Sequence, residues 1–141
     1  MRTNNLFEKV PLNPRELIDH LFSVGAYTAP TIYCALCTAD PTDAGTGADM
    51  SEVADAGAYA RVDVSSCFGT AAADGSISND AAIEFTEATG AWGTVTHFAL
   101  VDSDTHGAGN LLISGALSSS KAVTSGDTVR FAIGEMTISL D

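Results

Sequence analysis

The run Ile32-Tyr33-Cys34-Ala35-Leu36-Cys37 sets the tightest limit on what this chain can become. Ile32, Cys34 and Leu36 alternate with Tyr33, Ala35 and Cys37, and both sets are apolar. Successive residues of a strand face opposite sides of a sheet. A strand that is apolar on both sides therefore belongs in the interior of a sheet with material packed on each face. Pro30 and Pro41 bracket this run. After it, residues 39–57 read as a loop, with Asp40-Pro41-Thr42-Asp43, several Gly and Ala, and Met50 as its large apolar residue.

A period of two persists through the remainder. Tyr59 to Val64 places Ala60, Val62 and Val64 on one side, and Tyr59, Arg61 and Asp63 on the other. Ile83 and Phe85 alternate with Ala82, Glu84 and Thr86. Thr94 to Asp102 puts Phe98 and Leu100 on one face and Val95, His97, Ala99 and Val101 on the other. Leu111 to Leu117 follows, then Val129, Phe131 and Ile133, then Met136, Ile138 and Leu140. Turn residues separate these runs: Asp74-Gly75, Thr89-Gly90-Ala91-Trp92-Gly93, His106-Gly107-Ala108-Gly109-Asn110, Ser125-Gly126-Asp127, and Gly134 as a bulge or sharp bend. About seven or eight short strands at roughly 8–12-residue spacing predict an antiparallel β-sandwich or jelly roll.

The first 26 residues differ. Residues 1–13 show no period and read as an arm. Asn13 suits a helix cap, Pro14 the first turn, and Glu16 the positive end of the helix dipole. Leu17, Ile18, Leu21 and Phe22 recur at helical spacing and Gly25 is a stop, so a short amphipathic helix is expected over 14–24. The expected division is an arm and helix, 1–26, ahead of a β-domain, 27–141.

At 141 residues the chain can bury about two-thirds of its unfolded surface in one domain. Six basic residues stand against 18 acidic ones, a net charge of −12. That balance speaks against nucleic acid and against anionic membranes, both of which need a basic face. No window reaches the roughly 20 apolar residues of a membrane-spanning helix. Charge at Glu8 and Lys9 interrupts any secretory pattern, so synthesis in the cytoplasm is expected.

Candidate chemistry is sparse. Cys34 and Cys37 have C-x-x-C spacing, but on a strand their odd offset turns them to opposite faces. With Cys67 they read as buried structural thiols. His20, His97 and His106 are scattered and read as a surface, a strand and a loop histidine. Asp40/Asp43, Asp49/Glu52/Asp55 and Asp102/Asp104 lack the spacing of a calcium loop and read as solvated acids. No G-x-S-x-G elbow marks a nucleophile, and no glycine-rich phosphate loop opens a helix. The chain is expected not to be an enzyme and to carry no catalytic, cofactor or metal residues. The aromatics Tyr27, Tyr33, Tyr59, Phe68, Phe85, Phe98 and Phe131 read mainly as core. Trp92, in a Gly-flanked turn, either plugs the end of the sandwich or makes an intermolecular contact.

Several phrases carry a resemblance. They are Tyr27-Thr28-Ala29-Pro30, Ala39-Asp40-Pro41-Thr42-Asp43-Ala44-Gly45-Thr46-Gly47, Tyr59-Ala60-Arg61, the run Ala88-Thr89-Gly90-Ala91-Trp92-Gly93-Thr94-Val95-Thr96-His97-Phe98, Gly109-Asn110-Leu111-Leu112, Gly126-Asp127 and Phe131-Ala132-Ile133-Gly134. Over residues 27–141 the chain resembles a family of small tailed-phage virion proteins, often labelled tail-fibre proteins. It also resembles the jelly-roll cement, or decoration, proteins that clamp major capsid proteins together. Cys34/Cys37 and the charged arm depart from the pattern.

The resemblance implies a structural virion protein without an active residue. The first expectation is a capsid cement protein on the outer capsid surface, bound to the major capsid protein and self-associated as a dimer or trimer. Its contact residues would be Leu6, Phe7, Val10, Leu17, Leu21, Phe22 and Trp92, with the arm ordering as it binds. The alternative is a tail or tail-fibre component, with receptor binding through exposed aromatics near Trp92.

Overall fold

The computed structural model describes residues 2–3, 29–42 and 45–139. Its strands are β1 (Arg2–Thr3), β2 (Tyr33–Cys37), β3 (Val62–Asp63), β4 (Ser76–Ser78), β5 (Ile83–Glu84), β6 (Gly93–Val101), β7 (Leu111–Val123), β8 (Arg130–Phe131) and β9 (Thr137–Ser139). No helix occurs among the described residues. The expected helix over 14–24, and with it Leu6, Phe7, Val10, Leu17, Leu21 and Phe22, lies outside them.

One five-stranded sheet runs β1-β7-β6-β2-β3, and β4-β9 and β5-β8 form two separate two-stranded ladders. All pairs are antiparallel. The fold is thus mainly β. Arg2 and Thr3 pair with Ser114 and Ile113, which adds an edge to the sheet where the sequence shows no strand period.

The predicted interior strand is β2. It pairs with β6 from Tyr33↔Val101 to Cys37↔His97, and with β3 on its other edge at Tyr33 and Cys34. Cys34 and Leu36 face the larger core, among Phe85, Phe98, Leu100, Phe131 and Ile138. Ala35 and Cys37 face a smaller core with Met50, Ala99, Val101 and Leu111. The ladders contribute Ile83, Phe131 and Ile138 to the larger core, so they cover that face of the sheet. All three cysteines are free and buried. Burial pushes the Cys34 thiol far up, and the Cys37 thiol up to about 12.

Three features depart from the sequence reading. First, Val95 does not share a face with Ala99 and Val101. It lies in the larger core with Phe98 and Leu100. The cause is a bulge: Val95 pairs with Lys121 but His97 with Ala116, so Thr96 alone opposes Leu117 to Ser120. Such an insertion re-aims side chains, and an alternation count that assumes an unbroken strand cannot survive it. Second, β7 does not stop at Leu117 but continues to Val123. Third, Tyr59 and Arg61 do not face away from the core; both are buried, while Ala60 is exposed. Only Val62–Asp63 of that run forms a ladder.

The loop at 39–57 is pinned rather than loose. Cys37 bridges to Glu52 and Thr46 to Asn110, while Met50 and Val53 are fully buried. Gly47 is obligatory here, since a Cβ would sit 2.0 Å from the Ala108 carbonyl oxygen. Gly115 permits a different close approach. A Cβ there would lie 2.7 Å and 2.9 Å from two Phe98 ring carbons.

Phe98 packs edge-on against Phe131, with centroids 6.1 Å apart, so a Cβ at position 115 has to displace a ring that is already in contact. Gly115→Ala is therefore expected to overpack this core and to cost about 1–3 kcal/mol. Urea unfolding checks this, and an unchanged midpoint would exclude the clash. The cysteines give a second test. Thiol-reactive dyes should find none of the three in the folded protein and all three in denaturant, because a buried protonated thiol is a poor nucleophile.

Candidate functional site

Buried polar chemistry gathers where the 39–61 and 102–110 segments meet. Glu52 and Arg61 form a two-point ion pair: Nε donates to Oε1 at 2.7 Å and Nη2 to Oε2 at 2.7 Å. Their side chains are 3% and 1% exposed. Oε1 also accepts from the Tyr59 hydroxyl at 2.9 Å, and Oε2 from the Gly107 N–H at 3.3 Å. Arg61 Nη1 donates to the carbonyls of Ser103 at 2.7 Å and Ala108 at 2.9 Å. The Tyr59 hydroxyl in turn accepts from Leu36 N at 3.0 Å.

Burial, and then the Glu52 charge, push the Tyr59 phenol far up, so it stays protonated and donates. His106 Nε2 lies 2.9 Å from the Val53 carbonyl oxygen and 3.8 Å from Glu52 Oε2. Both oxygens of Glu52 are occupied, so the group fastens two loops together; it offers no free base to a substrate. Reading Glu52 as a solvated acid missed this. The nine-residue separation of Glu52 and Arg61 gives no periodic signal, and only the turn between them brings the charges together.

The other expected positions are dispersed. Thr96 Oγ1 and His97 Nδ1 are 2.9 Å apart on β6. Asp102 accepts from the Asn110 backbone N–H at 2.6 Å and its side-chain amide at 2.8 Å, closing the 102–110 loop. Thr46 Oγ1 donates to Asp49 at 3.0 Å. Among the described residues no group of three or more His, Cys, Asp and Glu is placed to hold a metal. His20 and Asp43 lie outside the described residues.

Trp92 is 5% exposed. Its indole N–H donates to the Gly57 carbonyl at 2.8 Å, and its ring meets Tyr59 edge-on at 5.3 Å and Phe85 at 6.5 Å. The structure thus places Trp92 in the core, where it joins the 57–59 turn to the start of β6. Tyr59, Phe85, Phe98 and Phe131 are buried as well.

A hollow of about 230 Å³ lies against the clamp, between Asp55, Asp104 and His106, and two others lie elsewhere among the described residues. One is an apolar groove of about 270 Å³ between Pro30, Ile32, Phe68, Ile77 and Ile113. The other is a mixed polar cleft of about 510 Å³, formed where the β7 bulge faces β8.

Removing one partner of the buried ion pair leaves the other uncompensated. Arg61→Met is expected to destabilise by about 3–5 kcal/mol, read as a lowered thermal midpoint. Tyr59→Phe, which orphans the Leu36 N–H, is expected to cost about 1–3 kcal/mol by the same measurement.

No curated protein matches the chain. A family model, described as podophage GP4 fiber I protein gp80, matches residues 12–139. That span takes in every described strand but β1, and includes the loop clamp and both of these hollows. It agrees with the resemblance carried by the Ala39–Gly47 and Ala88–Phe98 phrases. The chain belongs to the podophage GP4 fiber I protein gp80 family of tailed-phage structural proteins.

Proposed function

We propose that this chain is a non-enzymatic structural component of the virion and that its place is the tail fibre. The observation that carries this is the match of residues 12–139 to a fibre protein family. The cement reading rested on the 1–26 segment gripping capsid subunits, which lies almost wholly outside the described residues. Trp92, named as a contact under both readings, is buried and favours neither, and receptor binding through that ring loses its support. The tail-fibre reading is therefore preferred to the outer capsid surface.

Several features support a role in holding and binding rather than turnover. The Glu52 carboxylate is saturated and the thiols are buried. A charge of −12 disfavours nucleic acid and anionic lipid as partners. Self-association, as a dimer or trimer, is part of the proposal, since virion appendages are built from symmetric copies.

Gold-labelled antibody against the chain, applied to intact particles, tests the placement. Label on the tail or its fibres is the expected result. Label distributed over the head, at local two-fold or three-fold positions, would overturn the fibre reading in favour of cementing.

A further inference from the structure

The cations of this acidic chain are unevenly used. Among residues whose side chains are described, the cationic ones are Arg61, Lys121 and Arg130. Arg61 is consumed inside the protein by Glu52. Lys121 and Arg130 are both exposed, and both line the cleft of about 510 Å³ between the β7 bulge and β8. The Lys121 side chain makes no hydrogen bond or ion pair among the described residues, and the carboxylate that feels its charge is that of exposed Asp127. Arg130 lies beside Glu84 at the surface, with Nε 3.4 Å from Oε2, and its guanidinium makes no hydrogen bond among the described residues. A surface pair of this kind holds its arginine weakly.

The bulge itself builds the cleft. Because Thr96 alone opposes Leu117 to Ser120, the strand swings out there, and exposed Ser118 and Ser119 form one wall. Thr128 adds a hydroxyl from the facing side. The floor is the edge-on Phe98–Phe131 pair. Glu135 also borders it, with Oε2 held by the Ala132 N–H at 2.6 Å, so its other oxygen can accept from a ligand hydroxyl. The volume lies within the roughly 300–1,000 Å³ of small-ligand sites.

We propose that this cleft binds an acidic saccharide: a sugar unit that carries a carboxylate or a phosphate. The exposed Arg130 guanidinium can grip either anion through two parallel hydrogen bonds, with Lys121 as a second point charge. The serine and threonine hydroxyls and the free Glu135 oxygen meet sugar hydroxyls, and the apolar floor meets the C–H face of the ring. A nucleic acid is a poorer fit, because two cations cannot track a polyanion. The proposal rests on the tail-fibre reading, in which a bacterial surface glycan is the natural ligand.

Purified full-length chain, titrated calorimetrically at low salt, tests it with a galacturonate trisaccharide, glucose 1-phosphate and a neutral galactose trisaccharide. At least one anionic probe should bind, with the neutral sugar at least about tenfold weaker. Which anionic probe binds distinguishes carboxylate from phosphate. Lys121→Ser and Arg130→Ser should each weaken binding about tenfold, and Arg130→Lys should recover part of the loss. Both side chains are exposed, so the thermal midpoint should stay put. Absence of binding by both anionic probes, equal binding of the neutral sugar, or unchanged affinity in the serine variants would overturn the proposal. Failure here with antibody label on the tail defeats the cleft alone. Binding with label on the head defeats the fibre reading and leaves the cleft standing.

Discussion

Strand β2 is buried on both faces, so every backbone group along its two edges must find a partner inside the protein. One edge is met in full by β6. The other is met in relay. β3 supplies Tyr33 and Cys34, the Tyr59 hydroxyl takes the Leu36 N–H, and the Val53 N–H donates to the Leu36 carbonyl at 2.9 Å. Thr38 N then donates to the Ser51 carbonyl at 2.9 Å. The chain from 51 to 63 thus acts as a broken strand whose gap is closed by a side chain.

That relay explains the buried ion pair. Tyr59 must be held at a fixed height beside Leu36, and Glu52 holds it from the far side of the hydroxyl. Glu52 in turn needs Arg61, and Arg61 spends its remaining nitrogen on the carbonyls of the 102–110 loop. One charge network therefore satisfies the sheet edge and closes two loops at once. Trp92 continues the same assembly, since it packs against Tyr59 and bonds the Gly57 carbonyl.

Alternation located the strands well wherever a strand was regular. It put Cys34 and Cys37 on opposite faces, and the two cores receive them so. It failed at Val95 because a bulge changes parity without leaving a mark in composition. It failed at Tyr59 and Arg61 because their inward turn depends on Glu52. The fibre family was legible in phrases such as Ala88–Phe98, but the choice between fibre and cement was not, since such phrases record the fold rather than the partner.

The sequence by itself determined a mainly β molecule with an interior strand, buried free thiols and a strongly acidic exterior. Those follow from local period and from charge count, which need no knowledge of distant neighbours. Tertiary structure alone decided that Glu52 is buried against Arg61 and that Trp92 is core. It also decided that Lys121 and Arg130, nine residues apart, share one cleft. Each of these depends on loops and a bulge bringing separated residues together, and pairwise proximity of that kind is a property of the folded chain.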